Sequence, residues 1–198
     1  WLWNSDSWLS YIVFLVIIFV IVKFIFLPGL GLVFGTSLPL AIVESCSMYH
    51  EGNFLSNSNE WWNYWQSQNK YTQYNISQEQ FSEFKFSNGF NKGDILLIVG
   101  ANPSKLKVGD VIIFTSLGRS TPIIHRIISI SENAEGKKIF STLGDHNPGQ
   151  LAEEKSITEE QLVGKAIFRI GPYAGWVKLI FFEASRSPSE KGFCKNNF

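Results

Sequence analysis

Gly109-Asp110-Val111-Ile112-Ile113-Phe114-Thr115 and, after a polar turn, Pro122-Ile123-Ile124-His125-Arg126-Ile127-Ile128-Ser129-Ile130 decide the fold class. A Gly-Asp pair supplies a tight turn, and the β-branched run behind it fits a pleated strand better than a helix. The same unit recurs along the chain. Leu38–Val43, Asp94–Val99 (again opened by Gly93-Asp94), Lys138–Thr142 and Leu162–Ile170 are short runs of the same kind. Strands at this spacing, with few helices between them, predict a mainly β body of barrel or sandwich kind.

Upstream of the first strand, residues 8 to 27 form a nearly unbroken apolar run. About twenty helical residues cover a hydrocarbon core of about 30 Å, so this run is expected to cross a bilayer once. Lys23 is its sole charge and lies near one end, where its stem reaches the interface; Trp1, Trp3 and Trp8 form an aromatic belt at the other. A cleaved signal peptide would end in a small-residue site, and Leu27-Pro28-Gly29-Leu30 offers none. Pro28, Gly29, Gly31 and Gly35 are expected to break the helix. Met48 is the only methionine and the chain opens on Trp1, so the natural start is expected to lie further upstream. Few charges flank the run, and orientation is not readable from them.

The bulk numbers agree with a membrane setting. Charged residues make up 17% of the 198 residues, against about 25% in ordinary soluble chains, and aromatics reach 15%. Net charge is zero, which offers nothing to nucleic acid. Cys46 and Cys194 are too few for a disulfide framework or a zinc site; a single Cys46–Cys194 bridge is the alternative, and two free thiols are the favoured expectation.

Residues 51 to 90 differ in texture, being rich in Asn, Gln, Ser and aromatics. Trp61 and Trp65 stand one helical turn apart, and Ser77-Gln78-Glu79-Gln80 reads as a capping box with Ile76 and Phe81 as its staple. A two-helix insertion is predicted, its Trp cluster either docking on the bilayer or packing on the sheet. Asn75-Ile76-Ser77 is a glycosylation sequon, meaningful in a glycosylating compartment. Residues 172 to 182 are apolar but too short to span, and either lie in the interface or cover the body. The polar tail after Glu183 reads as a frayed terminus.

Chemistry is concentrated in three places: Glu44-Ser45-Cys46-Ser47-Met48, His125-Arg126 within its strand, and Gly144-Asp145-His146-Asn147-Pro148. A serine hydroxyl needs an adjacent base, and the base needs an orienting partner. The order Ser…His…Asp differs from the familiar serine-hydrolase orders and points to a separate family. Taken together, these motifs resemble type I signal peptidases of the archaeal and endoplasmic-reticulum branch, which use histidine where the bacterial branch uses lysine.

The resemblance covers most of residues 36 to 182 and implies a signal-peptidase-like β barrel or sandwich body with one N-terminal transmembrane helix and a short helical insertion. It implies an anchor and linker at 1–35, a catalytic domain at 36–182 interrupted by the 51–90 insertion, and a polar tail at 183–198. Ser47 is then the nucleophile, His125 the general base and Asp145 the carboxylate that orients it. The Ser47 N–H and the Ser45 hydroxyl form the oxyanion hole. Arg126 braces the site, and Asp94 and Asp110 read as turn residues. The implied activity is a membrane-bound serine endopeptidase removing signal peptides from exported preproteins, with no cofactor or metal. The implied partners are signal peptides, the lipid bilayer and the translocation channel, and the body lies on the outer face of the cell membrane.

This sequence departs from the family pattern in places. Cys46 replaces the usual glycine, and Tyr49-His50 replace an acidic residue and proline, which makes His50 a rival base. His146 reads as a loop histidine. The second acidic residue expected after Gly144-Asp145 is displaced, so either Asp145 works alone or Glu153 substitutes for it. Two rival readings stand beside the general peptidase: a peptidase dedicated to one pilin or surface protein, and a non-catalytic membrane-tethered β-module of the translocation machinery.

Overall fold

A computed structural model describes residues 7–50, 61–64 and 70–195. The six runs read as strands are all strands: β1 (Leu40–Ile42), β2 (Ile95–Val99), β3 (Val111–Phe114), β4 (Ile123–Glu132), β5 (Lys138–Leu143) and β6 (Leu162–Gly171). They form one sheet in the order β1-β2-β6-β3-β4-β5, every pairing antiparallel. Register shifts interrupt the β2/β6, β3/β6 and β4/β5 ladders, and such irregularities increase local twist. β1 and β5 are the two edges, yet the segments that follow them meet: the His146 N–H donates to the Ser47 carbonyl at 2.7 Å. The sheet therefore curls until its edges converge at the serine turn.

The central strand β3 is buried along its whole length. Its side chains alternate between two cores, as a strand covered on both faces requires. Val111 and Ile113 join Ala41, Val43, Phe90 and Leu96 on one face. Ile112 and Phe114 join Ile123, Ile127, Phe140 and Ile157 on the other. A third cluster is built by the insertion, where Trp61, Trp62, Tyr71, Ile76 and Phe81 pack on Ile128 and Leu143. The described part of the Trp cluster thus packs on the sheet, while Trp65, like Trp1 and Trp3 of the expected belt, lies outside the described residues. Gln78–Ser82 is helical, with the expected reciprocal capping bonds between Ser77 and Gln80.

The apolar helix is longer than predicted, running from Trp8 to Phe34. Pro28 does not end it, because Val22–Phe26 is wound as a π-helix just upstream. The Leu27 N–H bonds the Val22 carbonyl, and the wider turn relieves the clash a proline ring makes with the preceding turn. The helix stops at Gly35, whose φ of 63° is the left-handed cap geometry that glycine adopts freely. Its end is fixed to the body by the Gly100 N–H on the Phe34 carbonyl at 2.7 Å and the Thr36 hydroxyl on the Val163 carbonyl at 2.8 Å.

Two expectations about the far end of the chain are corrected. Cys46 and Cys194 are joined in a disulfide, so neither is a free thiol. The tail, expected to be frayed, is tied down by that bond and by ion pairs: Glu183 meets Lys92 at 2.6 Å, and Arg186 meets Glu44 at 3.1 Å. Upstream of it, the short helix Trp176–Leu179 buries Leu179 and leaves Val177 exposed, as are Ile180 and Phe181 just beyond.

Candidate active site

Ser47 lies in the turn that follows edge strand β1 and is half-buried. The turn is closed by the Tyr49 N–H on the Cys46 carbonyl, and the hydroxyls of Ser45 and Ser47 lie 3.1 Å apart. Next to it, Met48 is buried in the apolar core and its sulfur accepts the Asp145 N–H. Ser45, Ser47 and His125 line one cleft of about 570 Å³, together with Asn147 and apolar side chains of β1 and β4. The fold therefore brings to one cleft the hydroxyl and the imidazole that the sequence motifs pair.

The carboxylate is different. His125 and Arg126 are neighbours on β4, so their side chains point to opposite faces of the sheet. On one side, His125 Nδ1 hydrogen-bonds Glu154 Oε1. Glu154 is fully buried and also accepts from the Thr142 hydroxyl at 3.1 Å and the Leu151 N–H at 2.7 Å. On the other side, Asp145 receives two Arg126 nitrogens, the closer at 2.7 Å, with the Tyr71 hydroxyl at 2.5 Å and His50 Nε2 at 2.9 Å. The place at His125 expected for Asp145 is taken by Glu154. Glu153, the alternative, turns outward to Arg119 at 3.0 Å.

Glu154 is the residue that sequence reasoning misses. Its signal is faint: two consecutive glutamates lie in the 3-10 turn Ala152–Glu154, and the turn geometry decides which of them faces inward. Gly144 holds the opposite side of the imidazole, since a Cβ there would lie 2.8 Å from His125 Nε2. The glycine thus permits the close approach of the loop to the ring.

Asp145 is the hub of a buried polar network. Burial alone would raise its carboxyl, but the Arg126 guanidinium and His50 overcome that and hold it well below the usual carboxylate range. Arg126 is fully buried and spends its remaining donors on the carbonyls of Lys85, Phe86 and Gly109. His50 stacks on Trp61 with ring centroids 3.7 Å apart, and burial lowers its pKa. It is thereby committed to Asp145 and the aromatic cluster. Lys70 donates to the Asp145 carbonyl at 2.5 Å, and burial brings its ammonium down to about 7 against the pull of Asp145 and Glu154. His146 contacts Tyr49 edge-on, and burial lowers its pKa. Asp94 and Asp110 accept turn N–H groups, from Asn91 and Lys107, as their Gly-Asp pairs imply. Among the described residues no group of three His, Cys, Asp or Glu is placed to hold a metal ion.

No family model matches the chain. Over 96 residues it is 32% identical to the signal peptidase complex catalytic subunit SEC11C of Homo sapiens, a match covering 46% of this chain and 50% of that protein. Over 100 residues it is 32% identical to the signal peptidase complex catalytic subunit SEC11 of Debaryomyces hansenii, covering 48% and 59%. A shorter match of 60 residues, at 38% identity, links it to SEC11 of Zygosaccharomyces rouxii, covering 30% and 35%. The chain thus spans about half the length of the first relatives it matches. With the curled antiparallel sheet and the apolar N-terminal helix, these partial similarities to SEC11 catalytic subunits support a kinship with signal peptidase I of the endoplasmic-reticulum and archaeal type.

Proposed function

We propose that the protein is a membrane-anchored serine endopeptidase that removes signal peptides from exported preproteins, with Ser47 as nucleophile and His125 as general base. The observation that carries this reading is the imidazole held between a buried carboxylate and a cleft that also exposes a serine. Glu154 accepts the Nδ1 proton, which fixes the tautomer with a free lone pair on Nε2. His125 then takes the Ser47 proton as the hydroxyl attacks the scissile carbonyl, and returns it to the leaving amine. Glu154 stabilises the imidazolium formed in between. The Ser47 N–H and the Ser45 hydroxyl stabilise the oxyanion, and one such donor is worth about 3 kcal/mol in the transition state.

Asp145 is proposed as a brace rather than as the histidine's partner. It fixes Arg126, His50 and Tyr71, and its loop presents the His146 N–H to the Ser47 carbonyl. The helix Trp8–Phe34 anchors the body in the bilayer, on the outer face, where exported chains emerge. The names of the relatives, catalytic subunits of a signal peptidase complex, support the substrate class and the existence of partner subunits.

The test is cleavage of a preprotein by the purified full chain in liposomes. Ser47→Ala and His125→Ala each abolish cleavage, while undiminished cleavage by either variant sinks the Ser–His mechanism. Cutting across a panel of unrelated preproteins is the result expected of a general peptidase, and cutting only one of them would mark a dedicated enzyme.

A further inference from the structure

The turn Glu44-Ser45-Cys46-Ser47 is held from the far end of the chain. The Glu44 carbonyl accepts from Arg186 at 3.0 Å, and its carboxylate accepts from Arg186 at 3.1 Å and from Lys178 at 3.2 Å. Two residues on, Cys46 is covalently joined to Cys194. The segment that makes these links is itself fastened to the body. Lys92, only 1% exposed, bonds the Glu183 carboxylate and the Glu190 carbonyl, both at 2.6 Å. Phe193 packs its ring on Trp176, centroids 4.6 Å apart, and the Trp176 indole bonds the Lys92 carbonyl. Arg186 and Glu190 also line the cleft that Ser47 and His125 share.

We propose that residues 183–194 form a strap that positions the nucleophile turn, and that the Cys46–Cys194 bond latches it, so that reduction of the bond lowers catalysis without unfolding the body. The inference rests on the reading of Ser47 as nucleophile. Three observations favour it. The turn follows a short edge strand, and Ser45 within it is exposed, so packing alone constrains it little. The latch enters the turn between the two serines whose spacing defines the oxyanion geometry. The three apolar clusters that hold the sheet do not include either cysteine. Reduction moves two electrons and two protons from an external dithiol to the Cys46–Cys194 bond, leaving two protein thiols and the dithiol's own cyclic disulfide. A disulfide in this place also suits an oxidising compartment.

The experiment compares the oxidised full chain in liposomes with the same sample after dithiothreitol, following preprotein cleavage and amide exchange together. Reduction is expected to lower kcat on the order of tenfold with KM changed by less than about twofold, because small displacements of reacting groups act on the chemical step. Reoxidation restores the rate, and Cys194→Ser shows the lowered rate in both conditions. Exchange at residues 44–48 rises on reduction while that of β3 and β4 does not. An unchanged kcat, a change confined to KM, or unchanged exchange at 44–48 overturns the proposal. Exchange needs no catalysis, so failure of the strap is separable from failure of the Ser47 assignment, which shows as cleavage by Ser47→Ala.

Discussion

His125 has two ring nitrogens in different surroundings: Nδ1 meets a buried glutamate, and Nε2 lies beside Gly144 at the cleft. Replacing Glu154 by Gln keeps the shape but removes the charge that stabilises imidazolium, and it permits the wrong tautomer. In steady-state cleavage, Glu154→Gln is expected to lower kcat by on the order of 10³-fold or more, as amide replacement of an orienting carboxylate does elsewhere. Glu153→Gln, one residue away and turned to Arg119, is expected to leave kcat near that of the unchanged protein. Asp145→Asn has a different signature. It strips the charge from a fully buried partner of Arg126, and breaking such a pair costs about 3 kcal/mol. Denaturation in detergent should show that loss, whereas Glu154→Gln acts chiefly on rate. The pairing of Ser47 with His125 is legible only in the joint pattern of the motifs and the family they resemble, since neither motif alone fixes the curl that brings both to one cleft. The carboxylate is not legible, because it depends on which way β4 presents two adjacent side chains and how one 3-10 turn winds.

At the scale of elements, six strands could be read from Gly-Asp turns and β-branched runs because these signals are local. The helix beyond Pro28 could not, since its continuation depends on the π-turn ahead of it. The pairing of Cys46 with Cys194 was hidden for a related reason: 148 residues separate them, and only the packing of the tail brings them together. The insertion was legible as two helical signals, but its role emerges from the network it covers. There Lys70 sits buried with its ammonium on the Asp145 backbone carbonyl, and burial lowers its pKa to about 7 against the pull of Asp145 and Glu154. An unfolded lysine titrates at about 10.4, so between these values the unfolded chain binds the extra proton and stability rises with pH. The slope approaches about 1.4 kcal/mol per pH unit and is expected to vanish in Lys70→Met, as read by denaturation across pH 7 to 10. Asp145 acts at the other end of the scale. Its depressed carboxyl contributes stability above the unfolded value of about 3.9, and that contribution is lost as pH falls below it.

At the scale of the whole molecule, the helix and the sheet are joined without a slack linker. Gly35 caps the helix, Thr36 already bonds β6, and Gly100 approaches so closely that a Cβ on it would lie 2.3 Å from the Gly35 carbonyl. The helix axis and the cleft therefore keep a fixed relation, and under the proposed function a substrate whose apolar segment lies in the same bilayer would meet Ser47 within a restricted range of heights. Tethering of this kind raises effective concentration only while the geometry permits both contacts. A short Gly-Ser insertion between Gly35 and Thr36 leaves every side chain of the site in place but frees the body from the helix. It is expected to lower kcat/KM for a bilayer-inserted preprotein on the order of tenfold and to leave cleavage of a short soluble peptide unchanged. Equal loss on both substrates would mean that the junction supports the fold of the site itself. No loss on either would mean that the cleft finds its substrate independently of the anchor.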